Sequence, residues 1–538
     1  MPRFNLIDEP WIPCLLGRGG ILRDLSLREA LVKAVNVREV VDPSPPVTAA
    51  LHRFLLAIVH RNFGPGSRRQ WREMWKAGAW DEGVLAAYLG RWYRRFDIFD
   101  EEHPFYQVKG LDFQYEGPVS KLAPELASGN NATLFDHSTD AATEAIAPAW
   151  AARWLVAHQA FAIGGLVSLE KGQNPKLFKS ADNGPLVKGA VVIVKGDNLF
   201  RTLMLNLHHF SSEDEEPFPS EPDDWPAWER EEETRPEDRQ PRGYLDLLTW
   251  QSRRIRLRPE VEADGRVVVR RVVVMKGNQF PEGFMRHGKE TMLGFTKRSK
   301  AKENEDPWPA VSFREDRAMW RDSLALFESV EEKRARPKIL DWLNDLAAEG
   351  IVERSQTMPM DLLGLVTDRA KVLLWRHERL PLPLAYLENK ELLESLRVGL
   401  EVAEGSARAL EKGIWVLAAL IAAPDSDRAG ARQPRRESVE PLFKSLAPGR
   451  LYWPRLEVPF RKFLVDLPSD VVAEEELVEY GRERLPEWVR SVRQAAVRSF
   501  EEVAGGLDGS PRTLKAVAAA EGAFRRDLSA ALKDYLKQ

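Results

Sequence analysis

Between Glu391 and Ala423, the residues Leu393, Leu396, Leu400, Ala403, Ala407, Leu410, Ile414, Leu417 and Ile421 recur every three or four positions, and Pro424 ends the run. An apolar stripe of that period and length is one amphipathic helix, and one helix cannot bury its own stripe. The chain downstream must therefore supply helices that pack on it. An Arg-rich link over 428–436 leads to shorter helical segments and then a long helix over 470–504. Ser510-Pro511 is an N-cap followed by proline at the first helical position, and it opens a last helix. Residues 381–538 thus read as a C-terminal four-helix bundle. The change of character comes at "PLPLAYL", 381–387.

Residues 1–380 have no such uniform period. "IPCLL" and "ILRDL" flank a Gly-rich turn, and Ser26-Leu27-Arg28-Glu29 has capping-box spacing. Stretches 47–63 and 69–95 read as amphipathic helices whose tryptophans (Trp71, Trp75, Trp92) fall at core spacing. "APAWAARWLVAHQAFAIGG" is a helix ending in glycines, and "GAVVIVKGDNLFRTLMLNL" a strand, turn and helix. "RRIRLRPEVEADGRVVVRRVVVM" is a β-hairpin turning at Asp264-Gly265. Helices and strands alternate without a βαβ rhythm, so the expected fold class is α+β: a large irregular mixed domain over 1–380, then the bundle.

Charge is unevenly spread. Residues 213–238 hold thirteen Asp/Glu against two Arg, with five prolines, and read as a solvated linker. Residues 253–302 hold fourteen Lys/Arg against five Asp/Glu. With Cys14 as the single cysteine, no internal disulfide or multi-cysteine zinc site is available, which fits a reducing compartment. No run approaches the roughly 18 apolar residues of a membrane span. A soluble, cytoplasmic protein is expected.

Enzyme motifs are missing. There is no G-x-S-x-G elbow, and "GFMRHGKE" (283–290) fails as a phosphate-binding loop because Glu290 stands where a Mg²⁺-binding Ser/Thr belongs. His52 and His60 lack the H-E-x-x-H carboxylate, and His208-His209 are adjacent rather than on one helical face. No catalytic residue, metal or cofactor is expected. Binding chemistry remains. Strand alternation puts Ile255 and Leu257 on one face and Arg254, Arg256 and Arg258 on the other. That basic face either meets phosphate or simply blunts an exposed sheet edge, and the pattern leaves both readings open. The loop "ELASGNNATLFDHS" (125–138) lifts Leu134 and Phe135 out of a polar Gly129-Asn130-Asn131 context, so something must cover them.

"FNLIDEPWIP", "HPFYQVKG" (103–110), "KLAPELASGNNATLFDH" (121–137), "LVAHQAFAIGG" (155–165) and "DRAKVLLWRHERLPLP" (368–383) occur in that order. With the helical tail they resemble the large subunit of the type I-E CRISPR Cascade complex, the CasA family. The resemblance implies a non-catalytic subunit of an RNA-guided surveillance complex. Such a subunit recognises the protospacer-adjacent motif in double-stranded target DNA, promotes strand separation for crRNA pairing, and recruits the helicase-nuclease. Its other implied partners are the crRNA-bound backbone and small subunits, with no membrane.

By the same resemblance, Gly129, Asn130, Asn131, Leu134 and Phe135 form the loop contacting crRNA and DNA, so a partner covers the apolar pair. Ala162, Gly164 and Gly165 form the minor-groove glycine loop, and Lys276 is the lysine finger just past the second hairpin strand. Arg369 and Ala370 form the wedge, where the family commonly carries glutamine at the position of Arg369. Glycines and one flexible lysine suit the degenerate minor-groove pattern, and guide pairing supplies the remaining specificity. The competing expectation is a structural RNA-protein scaffold that does not read duplex DNA.

Overall fold

The computed structural model describes residues 2–17, 19–123, 145–209, 222–231, 235–282, 284, 287, 289–302, 305–329, 333–368, 371–423, 435–470 and 481–535. Contacts divide the chain into two units. The first holds Met1–Glu315, Ser329–Val352 and Met358–Arg379; the second holds Asp316–Glu328, Glu353–Thr357 and Leu380–Gln538.

In the first unit, β1 (Ile12–Leu16) pairs antiparallel with β2 (Ile21–Leu25). Ser26 then opens α1 (Leu27–Val32): its hydroxyl accepts from the Glu29 N–H, and its own N–H donates back to the Glu29 carboxylate. β3 (Val37–Val40) takes the other edge of β1. α2 (Pro45–Phe63) is buried at every position from Pro45 to His60, as a helix surrounded by other elements must be, and its buried Arg53 is paired with Glu290 at 2.7 Å. The stretch expected as one helix over 69–95 is two, α3 (Arg68–Ala77) and α4 (Glu82–Arg91). Gly78 stops the first in the left-handed region at φ +74, and Asp81 caps the second by accepting from the Val84 N–H at 3.0 Å.

β4 (Gly117–Pro118) precedes α5 (Pro148–Phe161), followed by β5 (Gly165–Leu166), α6 (Pro175–Phe178), β6 (Ser180–Ala181), β7 (Val191–Val194), α7 (Leu199–Asn206) and α8 (Tyr244–Leu248). The expected hairpin is β8 (Arg253–Val261) against β9 (Val267–Lys276), and β4 pairs on the far side of β9. β10 (Phe295–Thr296), α9 (Ser323–Phe327), β11 (Arg334–Ala335), α10 (Lys338–Ala348), β12 (Thr357–Asp368) and β13 (Lys371–Pro383) complete the sequence up to the tail. β10 pairs with β11, β5 with β6, and β13, β12 and β7 form a sheet in that order.

The core of this unit holds a cluster of aromatic rings. Phe54 on α2 meets Trp11 at 5.6 Å, Phe105 at 5.7 Å and Trp228 at 5.5 Å between ring centroids. Trp228 belongs to the acidic segment, so the reading of 213–238 as solvated linker needs correction. Its described part docks through buried acids. Glu229 accepts from Arg61 at 2.8 Å and from the Tyr88 hydroxyl at 2.6 Å. Asp224 accepts from the N–H groups of Leu245 and Asp246. Carboxylates can enter a core when each finds a donor.

In the second unit, α11 (Lys390–Ala422) is the expected long helix, started by Asn389, whose side chain accepts from two backbone N–H groups. It packs against α12 (Arg436–Leu446), α13 (Pro448–Asp466), α14 (Gly481–Gly505) and α15 (Pro511–Leu532). Four helices are long, and the short α12 lies against α11 through Trp415 and Phe443. Buried polar tips find helix carbonyls: Trp488 donates to Gly399 O at 2.8 Å and Tyr452 to Ala403 O at 2.8 Å. Residues from before 380 join this core. Trp320, 1% exposed, stacks on Phe460 at 4.4 Å, and Arg317 and Arg321 both reach Glu404. The fold class is the expected one: a mixed α+β part followed by an all-helical C-terminal part.

Candidate nucleic-acid interface

α5 ends at Phe161, and its last turns receive a returning segment. Gly184 N–H donates to Ala162 O at 2.7 Å, and Leu186 N–H to Ala160 O at 3.0 Å. Ala162 is buried here, while Ile163, Gly164 and Gly165 lie at intermediate exposure. Gly164 donates to the Asn183 side chain at 2.7 Å, and a Cβ at this position would meet Asn183 N at 3.0 Å. Gly165 has φ +150, a backbone that residues with side chains rarely adopt. The glycines therefore permit both the close approach and the turn.

One guanidinium ties this loop to the hairpin. Arg253, at the start of β8, donates to Ile163 O at 3.0 Å, Asp182 O at 2.7 Å and Ser252 O at 2.9 Å. Its backbone is held in turn by Gln159 on α5, which donates to Arg253 O and accepts from Arg253 N–H, both at 2.9 Å. Burial pulls the Arg253 guanidinium down to about 10, still charged at neutral pH. Arg253 pairs in register with Lys276, the last residue of β9. The glycine loop and Lys276 are thus brought together. Sequence reading placed Arg253 only among the basic residues of the hairpin, because its partners lie 71 and 90 residues away along the chain.

Lys276 is a half-buried strand end rather than a residue beyond the strand. Its Nζ lies 3.7 Å from Asp238, and its side chain is 18% exposed. The hairpin's alternation holds for the apolar face, with Ile255 and Leu257 buried. The opposite face differs from the expected open basic surface. The Arg254 side chain is 3% exposed, paired to Glu170 at 3.2 Å and donating to Lys276 O at 3.0 Å. Arg258 pairs with Glu116 at 2.7 Å and lies over the Phe113 ring, and Arg256 is half-buried. Phe113 bridges to Glu170 and packs with Val108, Leu111, Val273 and Met275, so a layer of chain covers this face.

The remaining candidates lie outside the described residues: Gly129, Asn130, Asn131, Leu134 and Phe135 in one segment, and Arg369 and Ala370 between β12 and β13. The base of that hairpin is described, and it is heavily charged. Asp361 accepts from Arg379 at 2.6 Å and lies 3.0 Å from His377, and Arg379 also reaches Glu39 at 2.7 Å. Burial would raise the Asp361 carboxyl, but the hydrogen bonds from His377 and Arg379 outweigh it and hold the group well below the usual carboxylate range. Lys195, 4% exposed, completes this group 3.8 Å from Asp361. Among the described residues, no cluster of three His, Cys, Asp or Glu is placed to hold a metal ion, and no helix is long and apolar enough to cross a membrane.

The family motifs thus have physical jobs. Trp11 of the first donates to Leu6 O inside the core. Gln107 of the second accepts from the Leu257 N–H at 2.8 Å, and Gln159 of the fourth holds Arg253. The profile of the family described as CRISPR-associated protein Cse1 matches residues 5–499. A curated CasA/Cse1 of Thermus thermophilus is 34% identical over 540 residues, covering 98% of this chain and 97% of its own length. The crystal structure of Thermobifida fusca Cse1 matches with a TM-score of 0.80 and 26% identity over 99% of each chain. A chain from a structure described as a CRISPR RNA-guided surveillance complex shares the fold, with a TM-score of 0.74 and 22% identity, over 98% of this chain and 100% of that one. From its N-terminal motif through most of its helical tail, this chain belongs to the Cse1 (CasA) family of CRISPR-associated proteins.

Proposed function

We propose that this chain is the non-catalytic large subunit of an RNA-guided CRISPR surveillance complex. In this reading it recognises a short protospacer-adjacent motif in duplex DNA, promotes strand separation for crRNA pairing, and recruits a helicase-nuclease. The observation that carries the reading is the Arg253 clamp, which fixes a glycine loop of close backbone approach beside Lys276. A minor groove offers few distinguishing groups, so glycines that admit the groove wall and one lysine donor suit a loose reading of it. The crRNA-bound backbone and small subunits are the proposed assembly partners, and the surveillance-complex relative supports that assignment. The segment with Leu134 and Phe135 and the wedge pair Arg369 and Ala370 are proposed for crRNA contact and strand entry.

A scaffold without duplex reading is favoured by one observation: the hairpin face of Arg254 is covered by chain instead of lying open to a duplex. Binding of duplexes with and without the motif separates the two. Lys276→Ala should lose about 1–3 kcal/mol on motif DNA, the range for a good base contact, and little on other duplexes. Equal losses on both would make Lys276 a phosphate contact, and no motif preference in the wild type would leave the scaffold.

A further inference from the structure

"HPFYQVKG" (103–110) contains one residue that the interface above does not use. Its Tyr106 is a non-glycine residue at φ +56, buried and stacked on Phe105 with centroids 4.3 Å apart. A bulky residue held in the left-handed region is strained, and such strain gathers where a backbone is shaped for a ligand. Tyr106 lines a cleft that also takes in Arg95, Arg230, Arg254, Glu231 and Asn278. Asn278 follows Lys276 by two residues.

The cleft is cationic. Four arginines line it, Arg253 included, against one lining carboxylate, Glu231, whose side chain is 93% exposed. Arg230 is fixed from behind by Asp246 at 2.8 Å, and Arg254 by Glu170 at 3.2 Å. Arg95 donates to Arg230 O at 3.2 Å and lies 3.9 Å from Glu231. Guanidinium groups held this way keep a fixed geometry, and the lining of the cleft carries more guanidinium than carboxylate.

We propose that this cleft binds a phosphate group of a nucleic-acid backbone, beside Lys276. The proposal rests on the nucleic-acid reading above and adds a sequence-independent anchor to it. An anchored phosphate would set the register in which Lys276 meets the duplex, since phosphate contacts position and base contacts specify.

The test uses the full-length protein and motif-free duplex DNA across a salt series. Arg95→Gln should weaken binding about threefold to tenfold and reduce the salt slope by about one unit. Glu231→Gln, at an exposed position, should tighten binding, a change of sign that damage to the fold would not produce. Inorganic phosphate should raise the melting temperature of the wild type and not that of Arg95→Gln. Unchanged duplex binding in both variants, with the wild type binding, overturns the proposal. Thermal protection by inorganic phosphate with duplex binding unmoved in both variants identifies a free-phosphate site and overturns the nucleic-acid source. Failure of the wild type to bind any duplex overturns the broader reading, and the inorganic-phosphate arm still decides whether the cleft takes the anion.

Discussion

Arg253 stands where α5, the glycine loop and the β8–β9 hairpin meet, and its three donated bonds satisfy three carbonyls. Arg253→Met keeps much of the side-chain bulk and removes every donor. Leaving a buried acceptor unmet costs about 1–3 kcal/mol, so a loss of several kcal/mol is expected in denaturant titration. A loss under about 1 kcal/mol, below that range, would show the clamp to be dispensable. Histidine supplies a second prediction at this scale. Burial, with Lys195 nearby, pulls His52 down to about 3, and burial, with Arg253 nearby, pulls His158 to about 3. Burial also takes His208 to about 4 and His60 well below its ordinary value. All four are neutral in the fold and titrate near 6.5 when unfolded. A depressed folded pKa gives stability that is whole above about pH 6.5 and lost as pH falls toward about 4. At about pH 5 each histidine with a folded pKa well below that value costs ~2 kcal/mol. Denaturation midpoints should drop sharply between about pH 7 and about pH 5, and equal midpoints would contradict the buried neutral state.

The helical elements of the tail approach one another through glycine. A Cβ on Gly413 of α11 would lie 2.6 Å from the Cβ of Phe524 on α15, whereas one on Gly405 would meet nothing nearer than 3.8 Å. Glycine in a helix costs about 1 kcal/mol relative to alanine, so Gly405→Ala should stabilise by up to that amount. Gly413→Ala makes the same backbone change, but crowding between packed helices costs about 1–3 kcal/mol and reverses the sign. Thermal melts of the two variants check this, and stabilisation by both would show that α11 and α15 can spread apart. Elements whose cause is local were legible in the sequence: the Ser26 capping box, the Asp264-Gly265 hairpin, the α11 stripe and the Ser510 cap. The break at Gly78 was missed because the periodicity of α3 runs on into α4. The burial of Arg254 was missed because strand alternation says which residues share a face, and not what covers that face.

At the scale of the whole chain, long-range partners decided what the sequence hid. The acidic segment looked solvated because the donors that meet Glu229 come from Arg61 and Tyr88, 168 and 141 residues away. The candidate site was half legible: the glycine loop and Lys276 could be named, while the arginine that joins them could not. The boundary near 380 raises a related question, since Asp316–Glu328 is grouped with the helices. Trp320 lies within 6.4 Å of Trp488, Trp453 and Phe460 by ring centroids, and Arg397 reaches Glu328 at 2.6 Å. A chain ending at 379 would keep Trp320, Leu324 and Phe327 but lose the rings and helices that bury the tryptophan, and so should expose apolar surface to a hydrophobic dye. In the intact chain, Trp320→Ala should cost about 3–5 kcal/mol, the range for emptying a buried aromatic site. That loss belongs to the helical unit, so limited proteolysis should cut α11–α15 sooner while fragments of the first unit persist. Unchanged protease resistance of the helices in Trp320→Ala would show that the bundle closes without this segment, and that a cut at 380 falls at a true boundary.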